Sequence, residues 1–356
     1  MAQPRKPRRA TIHDVAAQAG VSAATVSKVL RGITTVKPEN ADRVRQAVAA
    51  LGFRMDPLAA GLRQEQRRLI GAVVPDLESA FFGALVTGLE RAAEAAGYHV
   101  IIASSRESET REEDLVARMH DWRVAGTVLV PVRSERGLGA QILRRLDMTA
   151  VLVDRVSADD RFDSVAADNF EASAGVADYL VGLGHGHVLL HGATRLSKAV
   201  RTRVDGFTAR ARALNPDIVI DTLLSDDDAA AQRQAIRAYF DSHAGAARPS
   251  AIFSLSQHST LTVLSEIRRR GLGCPAEIAL VSFDDAEWMQ TAWPTITAVA
   301  QPVEAIAARA VSALLARVEG AAGFPVQHLE RCEMRVRQST GHVRPAQGVL
   351  RREGAG

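Results

Sequence analysis

The 356-residue chain contains only two cysteines and no long uninterrupted apolar segment. Cys274 and Cys332 lie far apart and lack the spacing of metal ligands, so we expect reduced thiols, as in a cytoplasm, rather than a disulfide framework. No apolar run approaches the length of a membrane span. The basic N-terminus leads into a helical pattern rather than an apolar signal segment, so we expect no export signal and a cytoplasmic location.

The motifs of common catalytic sites are also missing. The sequence has no nucleophile elbow, P-loop or pair of catalytic carboxylates, and Gly271–Gly273 lacks the rest of a dinucleotide fingerprint. His185, His187 and His191 resemble a metal cluster at first sight, but alternate residues of a strand are a more ordinary setting for them. The sequence therefore predicts neither an enzyme nor a bound metal or cofactor.

Charge is divided unevenly along a chain whose length suits two or three domains. Residues 1–68 hold 13 Lys/Arg and 5 Asp/Glu, whereas the remainder holds 31 and 36, so a head of net charge +8 precedes a body of −5. A basic head is typical of polyanion binding, and the acidic body discourages DNA from lying elsewhere. Residues 1–10 form a basic arm, disordered when free, that either touches phosphates or only keeps the chain soluble.

Residues 11–32 predict two short helices joined by a tight turn. Thr11 occupies an N-cap position with Asp14 in capping-box spacing, and Gly20 ends the first helix. Ser22 then caps a second helix. Helices this short are unstable alone, whereas a pair joined in this way suits DNA, because the second helix can enter the major groove.

The segment TIHDVAAQAGVSAATVSKVL, residues 11–30, resembles the N-terminal signature of LacI/GalR-family transcription regulators, T-I-x-D-V-A-x-x-A-G-V-S-x-x-T-V-S-x-V-L. A third helix from Pro38, ended by Gly52, completes a three-helix head over residues 11–56. Lys37 stands where the family usually has Ser, which weakens the cap of this helix. The resemblance implies a helix-turn-helix DNA-binding domain.

The resemblance also indicates which residues would meet DNA. The two variable positions after Val-Ser are Ala23 and Ala24, which can only pack on a thymine methyl or leave room for a neighbour. Lys28 is better placed to reach a guanine or a phosphate, the alternative being a solvated charge. The DNA-binding set that we expect comprises Thr11, Ser22, Ala23, Ala24, Thr25, Ser27, Lys28, Arg31 and Leu62.

Residues 57–68 resemble the family's hinge, typically R-P-N-x-x-A-R-x-L. In the family this segment becomes helical only on DNA, pairs with its twin and inserts a leucine at the central base step, which is Leu62 here; the alternative is a plain linker residue. Gly61 opposes the helix by roughly 1 kcal/mol relative to alanine. Two leucines at one step imply a homodimer on a near-palindromic operator in double-stranded DNA.

Strand-like runs alternate with amphipathic helices from Leu69 onward. Nine such runs lie at 69–75, 99–104, 126–131, 150–154, 164–168, 187–192, 218–224, 251–256 and 278–284. The alternation predicts an α/β fold of parallel sheets with helices on both faces, in two doubly wound lobes. The phrases IGAVVPDLESAFFGALV, DYLVGLGHGHVLLHG and LVSFDDAEWMQTAWPTITAVAQP resemble the family's body, which is periplasmic-binding-protein-like.

The resemblance implies that the chain crosses between the lobes three times, near residues 168, 298 and 327. The effector-binding body would span 69–343. Its N-lobe would comprise about 69–167 and 299–327, and its C-lobe about 168–298 and 328–343. The flexible tail 344–356 has no apolar repeat, which argues against a tetramer built on a C-terminal heptad.

Ligands of such folds bind in the cleft at the carboxyl ends of the strands. Arg203 and Asp284 match ligand-binding positions of the family, whereas a strand-end aspartate or one of a phenylalanine pair can instead cap a helix or fill the core. The family's A-I-F-A-x-N-D-x-x-A becomes AIFSLSQHST, so Ser256 and Gln257 replace Asn-Asp and make a sugar acid or another ligand more fitting than an ordinary hexose. The expected effector-binding set is Phe81, Phe82, Ser104, Asp154, Asp168, Arg203, Ser256, Asp284 and Trp288.

The predicted function is transcriptional repression, with operator affinity controlled by a small effector such as a sugar or sugar acid. The expected partners are double-stranded DNA, the effector and a second copy of the chain, and no membrane. One alternative keeps DNA binding but makes the body respond to a protein partner, or makes the output activation. A solute-binding protein fits the body alone and conflicts with the basic head, and an enzyme fits least.

Overall fold

The computed structural model describes residues 10–30, 33, 35–53, 68–156, 159, 161–193, 198–225 and 229–343. The chain divides into two compact units, Met1–Arg67 and Arg68–Gly356. The first unit is the head and the second is the body. Arg31 and Leu62, both expected at the DNA, and the hinge up to residue 67 lie outside the described residues.

Three helices form the described part of the head: α1 (Ile12–Ala19), α2 (Ala23–Leu30) and α3 (Pro38–Leu51). Each contributes small apolar side chains to one shared core. Helices this short are unstable alone, so they depend on packing against one another. The buried members of that core are Val15, Ala16, Ala19, Val26, Val44 and Ala47.

The caps of the head follow the predicted spacing. The Thr11 hydroxyl accepts from the Asp14 amide at 3.3 Å, and the Asp14 carboxylate accepts from the Thr11 amide at 2.7 Å. Gly20 ends α1 with a φ of 64°, and Arg43 of α3 donates to its carbonyl at 3.2 Å. Lys37 makes no side-chain cap at the start of α3, as its lack of an acceptor requires.

Two six-stranded sheets form the body. The first contains β1 (Leu69–Val74), β2 (His99–Ser104), β3 (Gly126–Leu129), β4 (Ala150–Val153), β5 (Asp163–Ala167) and β11 (Gln327–Glu330). The second contains β6 (His187–Ala193), β7 (Val219–Ser225), β8 (Ala251–Ser254), β9 (Ala279–Phe283), β10 (Thr297–Ala300) and β12 (Glu333–Arg335). Their orders are β11-β5-β4-β3-β1-β2 and β12-β10-β9-β8-β6-β7, and only β12 runs antiparallel to its neighbour. The predicted α/β class with two doubly wound lobes is confirmed.

Helices cover both faces of each sheet, so the strand interiors are almost wholly apolar. The first lobe carries α4 (Ala80–Ala95), α5 (Glu109–Asp121), α6 (Leu138–Arg145) and α12 (Val303–Val318). The second lobe carries α7 (Asn169–Gly182), α8 (Lys198–Leu214), α9 (Ala229–Ser242), α10 (Gln257–Arg269) and α11 (Trp288–Thr291). None of the described helices is long and apolar enough to cross a membrane.

The chain passes between the lobes three times. The first crossing follows β5, which ends at Ala167, and precedes α7, which begins at Asn169. The second falls at Gln301–Pro302 rather than near 298, because β10 still belongs to the second sheet while α12 packs in the first lobe's core. The third falls at residues 331–332 rather than near 327, because β11 pairs with β5. Strands β10 to β12 had no counterpart among the predicted runs.

Candidate nucleic-acid interface and ligand cleft

Helix α2 offers a short exposed face within the head. Ala24 and Lys28, four residues apart and therefore on one side of the helix, are exposed. Val26 points the opposite way and is fully buried. This face can give apolar contact from Ala24 and one positive charge from Lys28.

Other members of the expected DNA-binding set cap helices or pack against the head core. Ser22 caps α2, accepting from the Thr25 amide at 3.1 Å, and the two hydroxyls lie 2.9 Å apart. Ala23 is half-buried against the head core, so Ala24 is the more exposed of the two variable alanines. Thr11 is occupied by its capping box with Asp14. Ser27 is half-buried.

A cavity of about 640 Å³ lies between the two lobes of the body. Its walls come from turns that follow the strands, which is where ligands of open α/β sheets bind. Seven of the nine expected effector-binding residues line it: Phe81, Phe82, Asp154, Arg203, Ser256, Asp284 and Trp288.

Two of these residues occupy equivalent places in the lobes. Asp154 directly follows β4, Asp284 directly follows β9, and both strands are third in the order of their sheets. Both aspartates have a left-handed backbone, with φ of 68° and 75°. Such a backbone is uncommon for a residue other than glycine, and it concentrates at functional sites.

Asp154 carries a carboxylate that is poorly solvated. Its side chain is 6% exposed, and Oδ1 has no hydrogen-bond partner among the described residues. Burial raises the pKa of Asp154, and the nearby guanidinium groups of Arg203 and Arg155 only partly oppose that rise. A ligand hydroxyl that donates to this oxygen would satisfy it.

Arg203 lies beneath the cleft on α8 and is 5% exposed. Its Nε donates to Asn169 Oδ1 at 2.7 Å, and Nη1 donates to the Leu255 carbonyl at 2.6 Å. The guanidinium carbon lies 3.5 Å from the centroid of the Phe283 ring, a cation–π contact. Burial lowers the pKa of Arg203, and Asp284 and Asp154 oppose that change. The cation is therefore fixed in orientation and close to both aspartates.

Asp284 is held by donors from two elements. Gln301 Nε2 donates to Oδ1 at 2.5 Å, and the backbone amide of Gln257 donates to Oδ2 at 3.4 Å. The Gln257 amide is one of the free amides at the start of α10, which a carboxylate satisfies well. Asp284 thus has a fixed carboxylate, unlike Asp154.

The two phenylalanines divide the expected roles. Phe82 is 6% exposed and belongs to the core of the first lobe, whereas Phe81 is half-buried beside the cavity. Their rings meet edge to face at 5.1 Å. Phe81 is accordingly the aromatic surface on which a ligand ring could stack. Trp288 lines the opposite lobe and is half-buried.

Sequence reasoning missed an ion pair at the cleft. Arg155 makes two contacts of 2.7 Å with Glu107 and lies over the Phe82 ring at 5.5 Å. Arg106 and Glu107 both have a left-handed backbone, which brings Glu107 to Arg155. Only the position of Arg155 next to Asp154 could have identified it. Gln301, in the quoted Gln-Pro phrase, was also missed.

Two of the expected effector residues, Ser104 and Asp168, do not line the cavity. Ser104 donates to the Pro75 carbonyl at 3.3 Å and does not line the cavity, because its hydroxyl turns back into the loop after β2. Asp168 caps α7 by accepting from the Glu171 amide at 3.2 Å and is also absent from the cavity wall. Its carboxylate is used by the free amides of a helix start.

The three histidines have separate partners. His185 pairs with Ser250 at 2.9 Å, His187 with Asp221 at 2.8 Å, and His191 with the Leu223 carbonyl at 3.1 Å. Within the described ranges, no group of three or more His, Cys, Asp and Glu side chains is arranged to hold a metal ion.

Both units match known families. A family described as "Bacterial regulatory proteins, lacI family" matches residues 11–56, and one described as "Periplasmic binding protein-like domain" matches residues 177–340. The HTH-type transcriptional regulator PtxS of Pseudomonas plecoglossicida is 31% identical over 93% of this chain and 96% of its own length. The HTH-type transcriptional regulator KdgR of Bacillus subtilis is 28% identical over 88% of this chain and 93% of its own. These relatives are regulators, not enzymes.

Solved structures agree with the fold. The lac repressor dimer bound to operator and the anti-inducer ONPF aligns with a TM-score of 0.84 at 22% identity, covering 94% of this chain and all of that one. A complex of the transcriptional regulator CelR with cellobiose aligns with a TM-score of 0.69 at 24% identity, covering 93% of this chain and all of that one.

Proposed function

Because the chain belongs to the LacI family of bacterial regulatory proteins, we propose that this DNA-binding transcriptional regulator is a repressor whose operator affinity is set by a small effector held between the lobes. One observation carries the proposal. The same chain joins a basic helix-turn-helix head to a two-lobed body whose cleft has charged and polar groups on both walls. Binding to the chromosome would place the protein in the cytoplasm.

On the DNA side, α2 would enter the major groove of each half of a near-palindromic operator. Ala24 would contribute apolar contact, and Lys28 would reach a guanine or a phosphate. Leu62 of each copy would open the central base step from the minor groove. Direct reading by the alanines is modest, so the deformability of the central step would supply part of the specificity.

Two copies are needed for this arrangement, and the second lobe has a surface that suits a homodimer. Leu261 is 53% exposed and Trp293 is 78% exposed. Arg268 lies two turns beyond Leu261 on α10 and donates to the Trp293 carbonyl at 2.9 Å, so the backbone at Trp293 lies against the same helix that carries Leu261. Large exposed aromatic side chains are enriched at the centres of interfaces.

On the effector side, the cleft suits a polyhydroxylated ring such as a sugar or sugar acid. Phe81 offers a ring face, Asp154 and Asp284 offer acceptors, and Arg203 offers donors that can reach a hydroxyl or a carboxylate. The CelR complex holds cellobiose in a related fold. The effector would act by binding one lobe arrangement better than the other, and that preference decides whether it releases or engages the operator.

The first test is selection of fragments from the protein's own genome by the purified full-length chain. We expect a palindrome with a central pyrimidine–purine step, and the adjoining genes indicate which metabolites to titrate. Lys28→Ala should weaken binding to the recovered site by about 1–3 kcal/mol, as expected for one lost base or phosphate contact. Fluorescence anisotropy at fixed salt measures this loss.

Lys37→Ala is the matched control, because it removes a head lysine that lies outside α2. Equal affinities for the wild type and Lys28→Ala would reject the assigned role of that residue. Sedimentation velocity should give a dimer, and a tetramer would contradict the proposed assembly. If no genomic site is enriched with or without metabolites, the repressor proposal fails.

A further inference from the structure

A second, smaller cavity adjoins the main cleft. It has a volume of about 220 Å³ and shares Ala80, Phe81, Gln257, Asp284 and Gln301 with the larger one. Three of these shared residues are polar, and they are joined to one another through Asp284 by hydrogen bonds. The two spaces therefore share a wall in which these three polar residues lie beside Ala80 and Phe81.

Gln257 joins this wall to both lobes. Its side-chain Nε2 donates to the hydroxyl of Ser79, across the cleft, at 3.3 Å. Its backbone amide donates to Asp284 within the second lobe at 3.4 Å. Gln301, which holds the other oxygen of Asp284, lies at the second crossing between the lobes. One continuous chain of hydrogen bonds thus runs from the first lobe to the crossing.

The Ser79 hydroxyl can accept from Gln257 because a different residue accepts the hydrogen bonds of the turn before α4. Asp76 accepts from the Glu78 amide at 2.8 Å and from the Ser79 amide at 3.0 Å. The Ser79 hydroxyl makes no cap to α4, although Ser79 occupies the N-cap position. The common use of an N-cap serine is absent here, and its hydroxyl is turned to the opposite lobe.

The residue type at 257 decides whether the contact can form. LacI-family sequences usually have Asp where this chain has Gln257, in the phrase A-I-F-A-x-N-D. Aspartate is one methylene shorter and has no N–H to donate. The bridge to Ser79 is therefore a property of this chain's own residues rather than of the shared pattern.

We propose that Gln257 is a cross-cleft positioning residue that links Ser79 of the first lobe to Asp284 of the second. It holds the Asp284 carboxylate in the wall of the cleft, and it closes the ligand cavity at the end where the chain crosses between the lobes. The assignment of the cleft as the effector site rests on the proposed function. The tie between the lobes rests only on the contacts of Gln257, Ser79, Asp284 and Gln301. Breaking it lets the lobes separate and joins the two cavities.

The test measures the separation of the lobes in the full-length protein with no added ligand. Asp114→Cys on α5 and Gln234→Cys on α9 provide one exposed spin-label site in each lobe. Burial raises the pKa of both natural thiols, Cys274 and Cys332, to about 12, so they react slowly with the label at neutral pH. Electron–electron double resonance then gives the distance distribution between the two labels.

Gln257→Ala and Ser79→Ala should each raise the ratio of long to short distances about two- to tenfold, the effect of losing one neutral hydrogen bond. The double variant should change no more than either single one, because both remove the same contact. Ser79→Thr keeps the hydroxyl and should match the wild type. Gln257→Asp should behave as Gln257→Ala does.

Unchanged distances in both alanine variants would overturn the proposal, as would additive effects or an equal change in Ser79→Thr. Denaturant unfolding shows whether the body of each variant is folded. If an alanine variant does not fold, the distances in Ser79→Thr are compared with those of the wild type instead. The operator selection described above does not depend on this bridge. Failure of one experiment therefore leaves the other proposal standing.

Discussion

The first and second lobes of the body share one strand order but hold their carboxylates in different ways. In the first lobe, Asp154 has an unpartnered oxygen and a raised pKa. Glu112 on α5 is fully buried there, and burial raises its pKa to about 7. In the second lobe, Asp284 has two donors. Glu266 on α10 is surrounded by arginines that lower its pKa to about 2.

The two lobes differ in the partners of these carboxylates as well as in their burial. Among the described residues, Glu112 accepts from the backbone amides of Val132 at 2.6 Å and Gly139 at 3.1 Å, which stabilise the charge less than burial destabilises it. Glu266 meets the guanidinium groups of Arg269 and Arg270, each at 2.6 Å. One sheet architecture thus accommodates carboxylates that resist ionisation and carboxylates that resist protonation.

Arg203→Ala should produce the largest effect, because Arg203 is the cation near the aspartates of both lobes. Its removal leaves Asn169 and the Leu255 carbonyl without these donors, and it leaves the charges of the buried Asp154 and the partly buried Asp284 less compensated. We expect the free energy of unfolding to fall by about 3–5 kcal/mol. Urea unfolding measures the loss.

Arg210→Ala is the matched control on the same helix, because Arg210 makes an exposed pair with Asp178 at 2.7 Å. Such a pair contributes less than about 1 kcal/mol. If the two variants are equally stable, the central role of Arg203 is wrong. An effector that binds Arg203→Ala with unchanged affinity in calorimetry would remove Arg203 from the ligand site.

Glu112→Gln should change the pH dependence of stability. The pKa of Glu112 is higher in the folded chain than its ordinary 4.5, so its contribution is complete below pH 4.5 and is lost as the pH rises through about 7. Between pH 4 and 8 the stability of the wild type should fall by about 3 kcal/mol relative to Glu112→Gln. Urea unfolding at several pH values measures the difference.

Glu266→Gln supplies the contrast in the second lobe. The pKa of Glu266 is lowered, so its contribution is complete above pH 4.5 and is lost as the pH falls through about 2. The stability difference between the wild type and Glu266→Gln should therefore stay constant from pH 5 to 8. If the stability difference between the wild type and Glu112→Gln also stayed constant from pH 5 to 8, the contrast between the lobes would be contradicted.

The smallest effects should come from the equivalent aspartates. Asp284→Asn leaves one oxygen for two donors, so the free energy of unfolding should fall by about 1 kcal/mol. Asp154→Asn removes a charge that burial disfavours, and at neutral pH it should leave stability equal or higher. The Asp154→Asn advantage should grow as the pH rises, since the raised pKa penalises the ionised form. Thermal unfolding measures the stability of both variants. Equal losses of stability in the two variants would show that the two walls of the cleft behave alike.

Local signals in the sequence were enough for the head. The capping box of Thr11 and the left-handed Gly20 act over three or four residues, so their spacing predicts them directly. Signals at the cleft were less complete. Asp154 and Asp168 both end strands, but one enters the cavity while the other caps α7. That choice depends on the following turn and the neighbouring strand.

Contacts between distant segments were beyond sequence reasoning. The bridge from Gln257 to Ser79 joins residues 178 positions apart and needs both lobes in place. The sequence indicated only that Gln257 departs from the family pattern. The lobe boundaries shifted for a similar reason, because β10, β11 and β12 are recognisable only by the strands they pair with.

Because the segments of the two lobes alternate along the chain, the lobes are completed in a fixed order during synthesis. The first sheet is covered on one face by α12, which brings Ile306, Ala310 and Leu314 to the core, yet α12 follows β5 by about 135 residues. At about 5–20 residues per second, a ribosome takes roughly 7 to 30 s to supply it. During that interval the second lobe can assemble all but β12, while the first lobe exposes an apolar face. The part of the body that is made first is thus completed later.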